Sequence, residues 1–548
     1  MPLSTAAVDA TGELLGKHDN SPYGYVRITV RNNGGTKVGY RFESNSDYSG
    51  RGRITISAPA LDPGDTRIHN LAVPFIRYPS LTITDTLGER KPVAMGNYSY
   101  SGNGRRFLNI CELEKFATEK ELDDFTRQYA GGGPVGGAGS STPDRVISQI
   151  EPRDLPENWM CYAPFHSVFI RQTALGRLPQ SEQDAMMRWV QSGGFLSVYG
   201  ADKDSTESLG LGVLERRKDS PINLTGGDFP SEWRRTEQLW QQFYGTSGGE
   251  SNFPYMVQKP GGRTGAFFIA TLFLVLAGPI NYFYYKRKGR IRMLMISLPA
   301  ISLGFCTLIT GYFIGTQGFA RRGGTVSVAT LNERLDQGFA FARSTLYSGL
   351  YPLGGFRFKP ETVFLPVRSA DNYEIDMTNG TLLSSGLFQP STNFHYFTAS
   401  PFHTRERLIW DPQASTVING FEKALEGVIV ETGGRYFAGG KVPAGGKVTL
   451  SPVSGSDVPA MGAGMTYDDR IVRLLAQRVM SADERRVIEE RMSGFAAAVM
   501  KVPGAHYAVL MTQNPSYIET GVTIDALRNC NVLVGLSDDS TTTSQGGK

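Results

Sequence analysis

Apolar and polar positions follow four successive patterns along this chain. From about Tyr23 to Val93 they alternate with period two in short runs, YVRITVRN, GYRFES, GRITIS, TRIHNLAVPF and SLTITD, punctuated by Gly, Asn, Asp and Pro. Period-two alternation turns one face of each run inward, and runs this short and closely spaced predict an antiparallel β-sandwich of immunoglobulin-like size. VRNNGG (Val30 to Gly35) is a strong turn signal. From about Arg106 the runs become continuous rather than alternating. FLNIC (Phe107 to Cys111), DRVISQI (Asp144 to Ile150), PFHSVFI (Pro164 to Ile170) and FLSVYG (Phe195 to Gly200) read as buried strands. Helical stretches fall between and after them, at Glu112 to Tyr129, at Ser181 to Gly194 (Ser181 as N-cap, Gly193-Gly194 as the stop) and around Glu232 to Tyr244. Strands alternating with helices predict a small parallel α/β sheet. The intervening GGGPVGGAGSS, residues 131 to 141, reads as a flexible loop.

The third pattern has no polar face. GAFFIATLFLVLAGPINYFYY (Gly265 to Tyr285) and MLMISLPAISLGFCTLITGYFIG (Met293 to Gly315) carry no charge. At about 1.5 Å per residue each can cross about 30 Å of hydrocarbon. Between them YKRKGRIR packs Lys286, Arg287, Lys288, Arg290 and Arg292 into one short loop, against Lys259, Arg263, Arg321 and Arg322 on the outer flanks. The positive-inside rule therefore puts loop 285–292 in the cytoplasm and both long flanks outside. Gly278-Pro279 and Pro299 predict kinks within the spans, and small residues there allow close packing. Neither span holds an Asp, Glu, Lys, Arg or His, which argues against a channel or transporter acting alone. Export of the N-terminal flank needs a signal sequence. Residues 1–25 contain no apolar core for one, so the expectation is a removed signal peptide or an upstream start, with an inverted topology as the third option.

After the hairpin the pattern returns to β, with TVSVATL, FRFKPETVFLPV, STVING, GVIVET and KVTLSPV as the clearest strands, then a helical stretch at residues 466 to 500 and late strands in HYAVLMTQ and NVLVGL. The expected class is a multidomain α+β membrane protein. Its units are an N-terminal β-sandwich over residues 1–105, an α/β domain over 106–258, a transmembrane hairpin over 264–315 and a C-terminal β-rich domain with helices over 324–548, expected to be a second β-sandwich with a helical segment.

Composition refines this picture in three ways. A hydrophobic share of 40% excludes whole-chain disorder. A net charge of only +4, with much of the positive charge beside the spans, argues against nucleic-acid binding. The four cysteines, Cys111, Cys161, Cys306 and Cys530, form no C-x-x-C pair and no Cys/His cluster, and no two of the six histidines stand at i, i+4. No metal site and no cofactor are therefore expected. Cys111 and Cys161 share a domain, so either a disulfide joins them or both are small buried hydrophobes.

No G-x-S-x-G elbow, Walker A loop or H-E-x-x-H motif is present, and AGGKVTL (Ala444 to Leu450) reads as a turn rather than a phosphate loop. The expected small-molecule location is the carboxyl edge of the α/β sheet, where such folds bind ligands. That reading gathers Cys111, Arg171, Gly200, Asp202 and Lys203, with the alternative that the cleft is vestigial and its charges are merely solvated.

Trp159, Tyr162, Trp189, Val190, Gly193, Gly194 and Gly200, together with the Gly-Pro-x-x-Tyr element and basic loop of AGPINYFYYKRKGRIRMLMISLPA, carry a resemblance. So does VINGFEKALEGVIVETGGRYFAGGKVPAGGKVTL with Asn419 and Gly420. These pieces resemble a family of bacterial membrane proteins of unknown function that have an extracytoplasmic class I glutamine amidotransferase-like domain. The resemblance covers much of residues 150 to 450. It implies a flavodoxin-like α/β unit and a bacterial cytoplasmic-membrane location. It does not imply amidotransferase activity, because the G-x-C-x-G elbow of active members is missing: Cys111 sits in NICEL, Cys161 in WMCYA, and His166 precedes any plausible elbow. The leading expectation is a membrane-anchored binding or scaffold protein that acts through envelope protein partners. The alternatives are a hydrolase or amidotransferase-like enzyme using Cys111 or Asp202, and an accessory subunit of a membrane transport complex.

Overall fold

The computed structural model describes residues 8–16, 23–45, 52–74, 81–96, 107–112, 118, 120, 144–165, 167–219, 262–317, 320–352, 354–367, 373–453, 505–524 and 526–536. The protein is mostly β, multidomain, with several sheets and two long apolar helices in the middle of the chain. Of the helix expected at 112–129 only residues 112, 118 and 120 are described, with Glu112 ending a strand; the helices expected at 232–244 and 466–500, and the glycine-rich loop at 131–141, lie outside the described residues.

Two sheets enclose the N-terminal core. Strand Tyr23–Asn32 lies in a four-stranded sheet between Thr66–Pro74 and Val8–Gly16. Strand Val38–Asn45 lies in a second sheet between Gly52–Leu61 and Leu81–Asp85. Val26, Ile28 and Val30 of the first sheet meet Tyr40, Phe42 and Ile83 of the second in one buried cluster. The VRNNGG turn is real, but it carries the chain from one sheet to the other rather than closing a hairpin. Fully buried Asn32 holds that corner: its side-chain amide donates to the carbonyls of Thr36 and Leu61 at 2.9 Å, and its Oδ1 accepts the Gly34 amide.

The second of these sheets does not stop at the hairpin. Strand Tyr373–Asp376 pairs in parallel with Gly52–Thr55, placing Ile375 opposite Ile54, and Thr381–Ser385 and Phe356–Phe358 continue the sheet to its edge. Seven strands, four from before the hairpin and three from after it, thus form one layer. Ser57 N–H donates to Thr378 Oγ1 at 2.9 Å beyond the end of the paired segment.

A nine-stranded sheet dominates the chain after the hairpin. Its centre is Arg322–Asn332 flanked by Gln337–Tyr347 and Ala526–Leu536. These strands read as nearly continuous buried runs because both faces are covered. On one face a three-stranded sheet, Leu408–Asp411, Thr416–Asn419 and Lys447–Thr449, packs Leu408 and Val417 against Leu331, Ala342 and Val509. On the other, Val328, Phe339, Phe341 and Val532 share a core with Trp159, Met186 and Trp189 of the α/β unit.

That unit is a six-stranded sheet in the order Asp144–Gln149, Phe107–Glu112, Ser167–Arg171, Phe195–Tyr199, Gly212–Arg217 and Ser205–Leu209. The first five strands are parallel and Ser205–Leu209 is an antiparallel edge. Helix α1 (Gln180–Gln191) starts one residue before Ser181, with Pro179 at the N-cap, and Ser181 Oγ donates to Glu182 instead of capping. It stops at Gly193, where φ is 117°. Gly194 lies directly under the Trp189 indole, where a Cβ would come within 2.4 Å of the ring. The Trp-Val-x-x-Gly-Gly stop therefore serves packing as well as capping.

The hairpin comprises helix α2 (Gly262–Val275), a π-turn at Leu276–Ile280 that contains Pro279, helix α3 (Asn281–Arg287), and helix α4 (Leu294–Gln317). The π-turn is the disruption expected where proline lacks an N–H to donate. Both arms are long and apolar enough to cross a membrane. Their apolar side chains face outward: Phe267, Met295, Ile296 and Leu303 are each more than 60% exposed. A core helix of a water-soluble protein would bury these groups. Asn281 and Ser297 are hydrogen-bonded between the arms at 3.0 Å, and Phe273 meets Phe305 edge-on.

Candidate functional site at the carboxyl edge of the α/β sheet

Parallel register fixes which residues share an edge. Phe169 stands opposite Glu112, Arg171 opposite Tyr199, and Tyr199 opposite Arg217, so all these strands end on one side. Numbered along the chain, the parallel strands run 2-1-3-4-5. In that order the crossovers diverge between the first and third strands and leave a crevice at their carboxyl ends. Cys111, next to last in the first strand, and Arg171, last in the third, flank that point.

Of the five residues singled out from sequence, Arg171 ends its strand and Gly200, Asp202 and Lys203 follow the next one, whereas Cys111 stands in register with Val168, three residues short of Arg171. Arg171 is exposed, with its guanidinium 5.7 Å from the centre of the Tyr199 ring. Gly200 follows that strand at φ 74°, with open space where a Cβ would stand. Its left-handed backbone turns the chain so that Ala201 N–H donates to Arg217 O at 2.9 Å. Asp202 and Lys203 lie exposed on the loop beyond. The side chain of Cys111 lies outside the described residues, as does His166.

Next to this rim, Glu215 is buried, pairs with Arg217 at 2.6 Å and accepts from Ser197 Oγ at 3.5 Å. Asp204 accepts the Lys218 amide at 2.7 Å and so ties the loop down. The edge offers charged groups of both signs on a rigid scaffold, suited to holding a polar ligand by its charges. Among the described residues no group of three or more His, Cys, Asp or Glu gathers as a metal site.

Cys161 is a free thiol, fully buried in a 3-10 turn (Trp159–Tyr162), so the disulfide to Cys111 is not formed. Burial alone drives its ionisation far above the ordinary thiol range, and a thiol held protonated is a poor nucleophile. The buried-hydrophobe alternative describes it.

Sequence reasoning missed the surface on the opposite side of the unit. The Trp159 indole N–H donates to Glu361 O at 2.9 Å, and its ring meets Phe339 edge-on. Arg188 forms an ion pair with Glu361. Gln191 Nε2 donates to Gln337 Oε1 at 2.6 Å, and Arg334 donates to Glu207 at 2.9 Å. Trp159, read as a family marker, therefore sits in the seam between the α/β unit and the nine-stranded sheet, whereas Trp189 packs on Tyr162 and Gly194 within the unit. The only prior sign of it was two large aromatics in a segment with no solvent-facing period.

No family model matches the chain, and no curated protein matches it. Among solved structures, the yeast delta-COP-I mu-homology domain complexed with a Dsl1 WxWxV peptide aligns at 8% identity and a TM-score of 0.18, covering 39% of this chain and 96% of that one. The same yeast domain without the peptide aligns at 8% identity and a TM-score of 0.18, covering 39% and 95%. A likeness at that score carries no inference about fold or function.

Proposed function

We propose that this chain is a membrane-anchored scaffold of the bacterial cell envelope. Its hairpin crosses the cytoplasmic membrane, its large body lies outside, and a flavodoxin-like, amidotransferase-like module without catalytic activity is presented to protein partners. One observation carries the reading: chain from before and after the hairpin is built into the same seven-stranded sheet. Strands pair only on one side of a bilayer, so the two arms must enter and leave on the same face. The anchor then holds one continuous body rather than two tethered domains. The basic loop supports an outside placement for that body. The strand order 2-1-3-4-5 supports the flavodoxin-like reading of the module.

Impermeant maleimide labelling tests the placement. Leu87→Cys, at a position 78% exposed in the body, should label in intact cells, and Lys288→Cys in the loop only after permeabilisation. The reverse pattern would invert the topology. Cross-linking in isolated membranes tests the scaffold role: recovery of this chain alone, with no second envelope protein, would count against it.

The carboxyl edge supports a second reading, an enzyme that uses Cys111 or Asp202, because the strand that carries Cys111 pairs with the one that ends at Arg171, and that one with the strand that leads to Gly200, Asp202 and Lys203. Asp202→Ala and Cys111→Ser variants that leave every phenotype of a deletion strain complemented would remove that reading.

A further inference from the structure

A groove of about 710 Å³ runs along one side of the hairpin. Its lining begins at Tyr284, Tyr285 and Met293 beside the basic loop and extends to Gly304 and Leu308 on α4. Met293 to Leu308 spans about 22 Å at 1.5 Å per residue, more than the half-thickness of a hydrocarbon core of about 30 Å. Apart from the tyrosine hydroxyls at its mouth, its walls are apolar save at one place. Asn281, 6% exposed, and Ser297 both line it and are hydrogen-bonded to each other at 3.0 Å. An amide side chain has two N–H groups and a carbonyl oxygen, more than one hydroxyl can satisfy. Ser297 lies four residues, about 6 Å, in from Met293.

The mouth is strongly cationic. Lys286, Arg287, Lys288, Arg290 and Arg292 follow Tyr284 and Tyr285 in the adjoining loop, and no Asp or Glu occurs between Glu250 and Glu333. Lys288 Nζ donates to the Tyr284 hydroxyl at 2.5 Å and stands 4.3 Å from the centre of its ring, so this cation is held at the rim.

We propose that the groove is a binding site for an anionic phospholipid of the loop-side leaflet. Lys288, Arg290 and Arg292 hold the phosphate, the Asn281–Ser297 pair lies at the level of the ester carbonyls, and one acyl chain runs down past Gly304. The inference rests on the reading that the hairpin crosses a bilayer. Charge favours a lipid over a second copy of the chain, because a two-fold partner inserted from the same side would bring five more cations to the same mouth. Basic pockets between helices on the cytoplasmic side suit anionic headgroups.

The test uses the full chain in nanodiscs of equal phosphatidylglycerol and phosphatidylcholine, with retained lipid counted by native mass spectrometry. Wild type should retain phosphatidylglycerol in preference to phosphatidylcholine. Each of Arg290→Gln and Arg292→Gln should weaken that retention roughly fivefold. A Cβ at Gly304 meets nothing within 4 Å, so Gly304→Leu projects a side chain into the groove, and it should abolish the preference. Equal retention of both lipids by wild type would overturn the site. So would a Cys306–Cys306 cross-linked dimer that Gly304→Leu prevents, which would give the groove to a second copy. Alkaline carbonate extraction of the same chain separates the two readings: release from the membrane defeats the spanning hairpin itself, whereas retention without lipid preference defeats only the site.

Discussion

Ile375→Ala probes whether the chain on either side of the hairpin folds as one unit. Ile375 is 2% exposed, faces Ile54 (1% exposed) across the parallel pairing, and belongs to a core with Phe356, Tyr373, Leu383 and Tyr396. The substitution removes three carbons, about 2.4 kcal/mol at about 0.8 kcal/mol per methylene. The cavity left among aromatic neighbours that cannot collapse adds to this, so about 3 kcal/mol is expected. At 1.4 kcal/mol per decade, that is a rise of about 100-fold in the open population. Amide hydrogen exchange of the full chain in detergent micelles reads this segment by segment. Protection should fall about 100-fold in Tyr373–Asp376 and equally in Val38–Asn45, which lies two strands away in the sheet and more than 300 residues away in the chain. Leu350→Ala, at a loop position 54% exposed, is the control and should change neither. Wild-type protection in Val38–Asn45 with loss confined to residues 373–385 would refute the single-unit argument.

Further outcomes follow from individual sites. Burial, reinforced by Arg67, lowers the His69 pKa to about 4, and the ring bonds the Tyr40 hydroxyl at 2.7 Å. The unfolded chain takes up that proton near pH 6.5 and the folded one only near 4, so stability should fall as pH drops between those values and level off below. His69→Gln should flatten that slope in urea titrations, and an unchanged slope would exclude His69 as its source. Gly194→Ala forces a methyl into the Trp189 indole and should cost about 1–3 kcal/mol, visible as a lower urea midpoint. Cys161 should resist iodoacetamide in the native chain and react only after denaturation; modification under native conditions would contradict its burial. Glu43→Gln removes the buried partner of Arg41, Arg53 and Arg90 and should cost about 1–3 kcal/mol, a modest value because all three arginines can turn to solvent.

Hydropathy and short-range pattern determined most of the local structure. Period-two runs such as GYRFES and SLTITD became strands, the two uncharged stretches became helices, and Gly193-Gly194 ended the helix, because each depends on residues within a few positions. The parallel strands of the α/β unit also end on one side, as strands of one parallel sheet must. The first strand, Val8–Gly16, escaped notice because DATGELLG shows no clean alternation.

Long-range pairing was decided only in the tertiary structure. YEID at 373–376 is too short to announce its partner, and nothing local distinguishes Gly52–Thr55 from any other strand that would accept it. The pairing joins segments more than 300 residues apart, so it is a property of the whole molecule. Likewise the sequence around Trp159 shows only that it is buried; that it lies against the nine-stranded sheet, with Glu361 bonded to it and paired with Arg188, depends on two surfaces being complementary in shape. Sequence determines which faces must leave water, because burial depends on each residue's own apolar area. Tertiary structure decides which face covers which, because complementarity belongs to pairs of surfaces and is written in neither one alone.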